Sequence, residues 1–171
     1  MELLDIVDEE GNLTGKVMEK EKVHDLNLLH WEIAVFVINN QRQILLQKRA
    51  ATKRFNPNKW GLCAGHVDSM ERLEDAALRE VYEEIGIKLT LDDLKVLYEK
   101  EVKIRESNSH ITRYYYAIYN GNDFTIQEEE LSEVKWFDID DVIDMISNNN
   151  DTIVFKSDRL YLLDALKNIE L

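Results

Sequence analysis

Three glutamates stand within one turn of a segment that is otherwise patterned as an amphipathic helix. Glu80, Glu83 and Glu84 are spaced so that their side chains share one helix face. Glu80 and Glu84 fall in the middle of the apolar arc of that helix, and Glu83 lies at its edge. Because an unpaired carboxylate on a buried face is costly, the pattern predicts glutamates that are ion-paired or bound to a hard divalent cation.

The elements around this helix predict a mixed sheet with helices, an α/β (α+β) fold. The glutamate helix is expected to begin after Asp68 or Ser69 and to end at Gly86. Two further helices are predicted at residues 139–147 and 158–169, and residues 20–31 are interpreted as a connection. The predicted strands are an N-terminal hairpin within residues 1–20, then residues 33–38, 43–48, 60–64, 94–104, 112–119, 124–127 and 134–137.

Composition limits the class of protein. The 171 residues, 44% of them hydrophobic and 32% charged, predict one globular domain over residues 1–171. No apolar run is long enough to span a membrane, the first residues lack the basic region of a secretory signal, and the single cysteine fits a reducing cytoplasm. The net charge of −13 opposes stable binding to nucleic acid or to an anionic membrane.

Residues 65–87 resemble the Nudix box, GX5EX7REUXEEXGU. The fixed positions of that motif are all filled here, by Gly65, Glu71, Arg79, Glu80, Val81, Glu83, Glu84, Gly86 and Ile87. The resemblance implies a Nudix α/β/α sandwich. It also implies hydrolysis of a diphosphate linked to another moiety, such as a nucleoside diphosphate derivative, by attack of water on phosphorus. The implied cofactor is Mg²⁺ or Mn²⁺, and the implied partner is a small diphosphate substrate.

The same resemblance assigns roles within the box. The implied metal ligands are Glu80, Glu83, Glu84 and the carbonyl oxygen of Gly65. Arg79 is expected to hold the box rigid by pairing with Glu71 or Glu80. A further carboxylate outside the box is expected to act as an extra ligand or general base, and Glu130 is preferred to Glu129. The residues expected to take part in catalysis are therefore Glu80, Glu84, Glu130 and Arg79.

Substrate contacts are predicted less specifically. Lys48 and Arg49, at the end of the second sheet strand, are the candidates for contact with phosphate, and Trp60 is a candidate to stack on a base. Substrate specificity is expected to lie in two segments outside the box, residues 51–59 and 101–113. The sequence leaves the oligomeric state open between a monomer and a homodimer.

The N-terminal half most resembles the isopentenyl-diphosphate isomerase branch of the superfamily. That isomerase binds a divalent metal through histidines, and His24, His30 and His66 match their positions roughly, so a residual histidine site is a second hypothesis. The isomerase also needs a cysteine immediately before the glycine–histidine pair, where this chain has Ala64, and a glutamate in a segment that here contains none, residues 107–119. Hydrolysis is therefore favoured over isomerisation.

A non-catalytic Nudix domain that senses a nucleotide or binds a protein is the remaining alternative. Such domains usually lose glutamates of the box, and this chain retains all of them. The intact box therefore favours an enzyme.

Overall fold

A mixed seven-stranded sheet forms the centre of the protein in the computed structural model, which describes residues 1–171. Its strands are β3 (Trp31–Ile38), β4 (Gln43–Arg49), β5 (Trp60–Gly61), β6 (Cys63–His66), β7 (Lys95–Lys103), β8 (His110–Ile118) and β9 (Leu131–Asp138). The main path runs β5-β4-β3-β8-β7, while β6 pairs with β3 and β9 pairs with β4. Strands β3 and β8 are parallel, and the other named pairs are antiparallel.

Helices cover both faces of this sheet. On β3, Ala34, Phe36 and Ile38 pack towards α3 (Ile139–Ser147) and α4 (Leu160–Lys167). The alternate residues Ile33, Val35 and Val37 pack towards α2 (Leu73–Ile85). A strand that is buried on both faces reads as a nearly continuous apolar run, as β3 does. The predicted α/β/α sandwich is confirmed.

The predicted N-terminal hairpin is present as a separate two-stranded sheet, β1 (Leu3–Val7) and β2 (Leu13–Glu19). It is followed by a short helix, α1 (Lys20–Asp25), inside the segment interpreted as a connection. Leu4, Ile6 and Val23 form a small core between the hairpin and α1. None of the helices in the chain has the length and apolar character needed to cross a membrane.

The start predicted for the glutamate helix is wrong, because α2 begins at Leu73. Residues 68–70 are held instead by the N-terminal hairpin. The Ser69 amide donates to the Leu3 carbonyl at 2.7 Å, and the Ser69 hydroxyl and the Met70 amide each donate to the Asp5 carboxylate at 3.0 Å. These long-range bonds hold residues 69 and 70 in a turn, with Met70 at a φ of 68°, so the helix does not begin there. Gly86 ends the helix in a left-handed conformation as predicted.

The strand predicted at residues 124–127 is also wrong, because this stretch has no regular secondary structure. The Thr125 amide donates to the Ile85 carbonyl at 3.1 Å, and the Gln127 amide donates to the Glu84 carbonyl at 3.0 Å. The segment therefore satisfies two carbonyl groups that the end of α2 leaves without partners. At the C-terminus, a 3-10 turn (Ser157–Arg159) precedes α4, and no side chain caps it.

Candidate functional site

Successive side chains of β6 lie on opposite faces of the strand, so the site has two sides. Cys63 packs in the same core as α2, and a Cβ atom added at Gly65 would meet the Glu80 carboxylate, so these two residues face α2. Ala64 and His66 alternate with them and line a cavity on the other side of the strand. The box glutamates thus lie on one side of β6, and a second set of polar residues lies on the other.

Glu84 is the most deeply buried acid of the box, with 6% of its surface exposed. The Gln47 amide of β4 donates to its Oε2 at 2.6 Å. Burial raises the pKa of Glu84, and hydrogen bonds from Gln47 and Cys63 oppose this rise. A carboxylate held in this way is poised to bind a cation, because a bound cation would replace the solvation that burial removes.

Glu80 and Glu83 differ in their exposure. The Glu80 side chain is 15% exposed, and that of Glu83 is 52% exposed. Burial raises the pKa of Glu80 to about 7, with a further contribution from the charge of Glu84, although Arg79 Nη1 donates to Glu80 Oε1 at 2.7 Å. Two acids that repel each other at a buried surface favour a positive ion between them.

Arg79 connects four groups at the edge of the box. Its Nε and Nη2 donate to the two oxygens of Glu71, each at 2.9 Å, which is the bidentate geometry of a strong pair. Its Nη1 donates to Glu80 and, at 3.3 Å, to Glu83, while Nη2 also donates to the carbonyl of His66 at 3.1 Å. This single side chain therefore fixes the box loop, the helix and β6 relative to one another.

The residues present fit a hard divalent cation. An open cavity of about 430 Å³, here called the acidic cavity, is lined by six carboxylates, Glu2, Asp68, Glu80, Glu83, Glu84 and Glu130. Oxygen donors of this kind suit Mg²⁺ and Mn²⁺. At Gly65 a Cβ atom would lie 2.2 Å from a Glu80 oxygen, so the glycine lets the glutamate approach the β6 backbone.

This approach gives a prediction for Gly65→Ala. The added methyl group would displace the Glu80 carboxylate, which is the mobile end of its side chain, so we expect weaker Mg²⁺ binding with little loss of stability. Calorimetric Mg²⁺ titration should show at least a roughly 10-fold rise in dissociation constant. Gly61→Ala is the control outside the acidic cavity, at a glycine without a positive φ whose added Cβ would lie 3.3 Å from Val154. Unchanged Mg²⁺ affinity in Gly65→Ala would contradict the assignment of Glu80.

Of the two acids proposed outside the box, only Glu130 lines the acidic cavity. It forms an ion pair with Lys53, which lines the same cavity. Among the predicted substrate contacts, Arg49 also lines the acidic cavity. Lys48 lines neither cavity and lies over the ring of Trp60, which in turn packs edge-on against Phe137. The structure therefore brings Arg49 to the box and leaves Lys48 and Trp60 outside.

Behind β6, histidines converge on one half-buried acid, Glu32. One ring nitrogen each from His24, His30 and His66 lies within 4.8 Å of the others. The Nε2 atoms of His30, His66 and His110 lie 3.6, 3.7 and 3.5 Å from the Glu32 carboxylate. We call these five residues the histidine cluster. Strand register explains it, since Glu32 of β3 lies opposite His66 of β6 and opposite Thr112 of β8, and Thr112 is two residues from His110 and so on the same face of β8.

The opposite nitrogens of these rings are already engaged. Nδ1 of His30 donates to the Leu28 carbonyl at 3.0 Å, and Nδ1 of His110 donates to the Asn108 carbonyl at 2.8 Å. Nδ1 of His66 lies 3.4 Å from Glu2, whose pKa this contact holds at about 2. The buried Nε2 of His30 has no hydrogen-bond partner, whereas Nε2 of His66 lies 3.2 Å from Nε2 of His24, so these two rings share a hydrogen bond. The nitrogens of His24, His30 and His66 are therefore close enough together to hold a metal ion.

Sequence reasoning missed Glu32 in this cluster. His30 and Glu32 are two residues apart at the start of a strand, so their side chains share one face, and that spacing was the available signal. The neighbouring histidines hold the pKa of Glu32 at about 2, although its burial acts in the opposite direction.

The chain is similar to known proteins in both sequence and fold. The NUDIX domain model matches residues 28–156, so the chain belongs to the Nudix family. It is 32% identical over 158 residues to an isopentenyl-diphosphate Delta-isomerase of Aliivibrio fischeri, with 86% of each chain covered. It is 30% identical over 139 residues to the uncharacterized Nudix hydrolase lmo0368 of Listeria monocytogenes, covering 80% of this chain and 79% of that one. The crystal structure of DR0079 from Deinococcus radiodurans has the same fold, with a TM-score of 0.75, 20% identity, and 95% and 98% of the two chains covered.

Proposed function

We propose that this protein is a Mg²⁺- or Mn²⁺-dependent hydrolase of an organic diphosphate, such as a nucleoside diphosphate linked to another moiety. The observation that carries the proposal is the intact box geometry, in which the buried carboxylates of Glu80 and Glu84 lie beside Gly65 in the acidic cavity. Membership of the Nudix family supports the same class of reaction. One domain over residues 1–171 and a cytoplasmic location remain predictions.

The metal, when bound, would neutralise charge on the diphosphate and make water more acidic. In this proposal Glu80, Glu83 and Glu84 hold the metal, together with the Gly65 carbonyl. Arg79 holds the Glu80 side chain in one orientation, so this metal-binding residue does not have to become ordered when the substrate binds. Arg49 and Lys53 line the same cavity and supply positive charge for the phosphate oxygens.

The base that accepts a proton from the attacking water is assigned to Glu130. This side chain lines the acidic cavity beside Glu84, while Glu129 does not line it. Glu130→Gln should therefore lower kcat by roughly 10²-fold, within the usual range for a general base, and Glu129→Gln should leave kcat within about 2-fold. Steady-state kinetics at saturating Mg²⁺ checks this pair, and equal effects of the two substitutions would contradict the assignment.

The proposed activity is tested by incubating the protein with Mg²⁺ and a panel of diphosphate compounds, including ADP-ribose, nucleotide sugars and dinucleoside polyphosphates. Cleavage between the phosphates, abolished by chelation and restored by added Mg²⁺, is the expected result. Binding of panel members with no turnover of any of them would favour a non-catalytic domain instead.

Isomerisation is the second candidate, because relatives at 32% identity are named isopentenyl-diphosphate Delta-isomerase. Ala64 occupies the position before the glycine–histidine pair, and the only cysteine, Cys63, is buried on the α2 side of β6. The pKa of its thiol is raised well above the ordinary value by burial and by Glu84. Incorporation of deuterium from heavy water into isopentenyl diphosphate would support isomerisation, and we expect none.

The histidine cluster is proposed as a second metal site, distinct in chemistry from the acidic cavity. Imidazole nitrogens with one carboxylate favour a transition metal such as Zn²⁺ or Mn²⁺ over Mg²⁺. We expect one Zn²⁺ to bind to protein that is saturated with Mg²⁺, and Glu32→Gln to weaken that binding by about 10- to 100-fold. Calorimetric titration measures both, with Glu99→Gln as a control on an exposed strand residue. A Glu32→Gln protein that binds Zn²⁺ as tightly as the wild type would contradict the site.

A further inference from the structure

A second cavity, of about 250 Å³, opens on the far side of β6 from α2. Three arginines line it, Arg49 from β4, Arg105 from the β7–β8 loop and Arg159 from the 3-10 turn before α4. We call it the arginine cavity. It shares Arg49, Ala64, Gly65 and His66 with the acidic cavity, so one ligand can occupy both. Water occupies about 30 Å³ per molecule, so the cavity has the volume of roughly eight waters, which is enough for a group the size of a sugar.

The positive charge of these arginines is not neutralised by the protein. The chain has 34 acidic residues, yet none of the three arginines has a carboxylate within 4.0 Å. Only one acid lines the arginine cavity, Glu32, and it is surrounded by histidines. In an acidic protein, three unpaired arginines around one small cavity are the complement of an anionic ligand.

Two of these arginine side chains are held by contacts within the protein, and the backbone of the third, Arg105, is hydrogen-bonded. Arg49 Nε donates to the Phe55 carbonyl at 2.9 Å, and the Arg159 guanidinium lies 6.0 Å from the ring centre of Phe155. The backbone carbonyl of Arg105 accepts hydrogen bonds from Asn27 at 2.7 Å and from Ser109 at 3.1 Å. Such ordering lowers the entropy that a ligand would lose on binding.

The remaining walls indicate what else the ligand carries. Phe55, Leu62, Tyr114 and Phe155 give apolar surface, and the buried Oδ1 of Asn108 accepts no hydrogen bond from the protein. A ring that carries a hydrogen-bond donor could pack on this apolar surface and donate to Oδ1 of Asn108. Phe55 lies in the segment 51–59, and Arg105 and Asn108 lie in the segment 101–113, the two segments that the sequence indicated for specificity.

We propose that the arginine cavity binds a second anionic group, a carboxylate or a phosphate, on the moiety that is linked to the diphosphate. This inference rests on the proposed function, because it requires the diphosphate to lie in the acidic cavity. It predicts that the enzyme selects substrates by charge at a distance from the bond that is cleaved.

Matched ligand pairs test the inference. UDP-glucuronate and UDP-glucose differ by one carboxylate, and NADPH and NADH differ by one phosphate. We expect the more anionic member of at least one pair to bind about 10-fold more tightly, since hydrogen bonds between charged groups are the strong ones. The pair that shows the difference identifies the anion. In the double variant Arg105→Gln/Arg159→Gln the difference should fall to about 2-fold, and Lys156→Gln, a nearby charge outside the cavity, should retain it.

Binding is measured by calorimetry with Mg²⁺ on protein carrying Glu130→Gln, the substitution at the assigned base, so that turnover is slowed while the proposed metal ligands stay intact. Equal affinities within both pairs, a difference that survives in the double variant, or no binding of any of the four ligands would each overturn the inference. Hydrolysis by the wild-type protein is assayed separately, so selective binding without hydrolysis would contradict the proposed activity alone.

Discussion

Glu84→Gln should abolish hydrolysis while leaving the fold intact. The substitution keeps the shape of the side chain and an oxygen that can still accept the hydrogen bond from Gln47, now 2.6 Å long. It removes one negative charge from the proposed metal site. A charge that stabilises the transition state through a metal is worth several kcal/mol, so kcat/KM should fall by about 10³-fold or more.

The control for this experiment is Glu128→Gln, the same chemical change at an exposed position of the neighbouring acidic turn. Its kcat/KM should remain within about 2-fold of the wild type, because Glu128 lines neither cavity. Turnover by Glu84→Gln equal to that of the wild type would show that the cation does not depend on this residue.

Metal-free stability gives the same variant a second readout. The pKa of Glu84 is raised in the folded protein, so the unfolded chain loses its proton at a lower pH than the folded one. The native state is therefore penalised as pH rises above the unfolded pKa, by at most about 1.4 kcal/mol per pH unit until the folded pKa is reached. With a chelator present, the free energy of unfolding of the wild type should decrease between pH 5 and pH 8 by more than that of Glu84→Gln. Added Mg²⁺ should reverse the difference.

Arg79→Lys should be the second most damaging change, although the positive charge is conserved. Lysine cannot reproduce the bidentate pair with Glu71 while also donating to Glu80 and to the His66 carbonyl. The partners are largely buried but Arg79 itself is 27% exposed, so we expect a loss of about 2 kcal/mol of stability, below the value for a fully buried pair.

The loss of activity in this variant should be larger than its loss of stability explains, because Arg79 is a positioning residue. Release of Glu80 would misplace a metal ligand, and errors of that kind cost roughly 10²-fold in kcat. The half-saturating Mg²⁺ concentration should rise, which a purely structural role would not produce. Arg72→Lys changes an exposed pair with Asp75 and serves as the control, with both quantities near the wild type. An unaltered Mg²⁺ requirement in Arg79→Lys would contradict the positioning role.

The sequence by itself determined the box helix and the class of fold. Helical spacing places Glu80 and Glu84 on the apolar face whatever the rest of the chain does, and Gly86 ends the helix because its left-handed conformation is favourable for glycine. The continuous apolar run of β3 likewise required helices on both faces of the sheet. These features depend on local geometry and hydrophobic pattern, which sequence carries directly.

Only the tertiary structure decided the features that depend on contacts between distant segments. The N-terminal hairpin captures residues 68–70 and delays the start of α2, and the carbonyls at the end of α2 capture residues 124–127. Glu32 meets His66 and His110 through the register of three strands, which no local pattern specifies. Glu80 and Glu84 of the Nudix box thus lie on the buried face of α2 as the sequence predicted, while the start of that helix and the two cavities beside it arise from the packing of the whole chain.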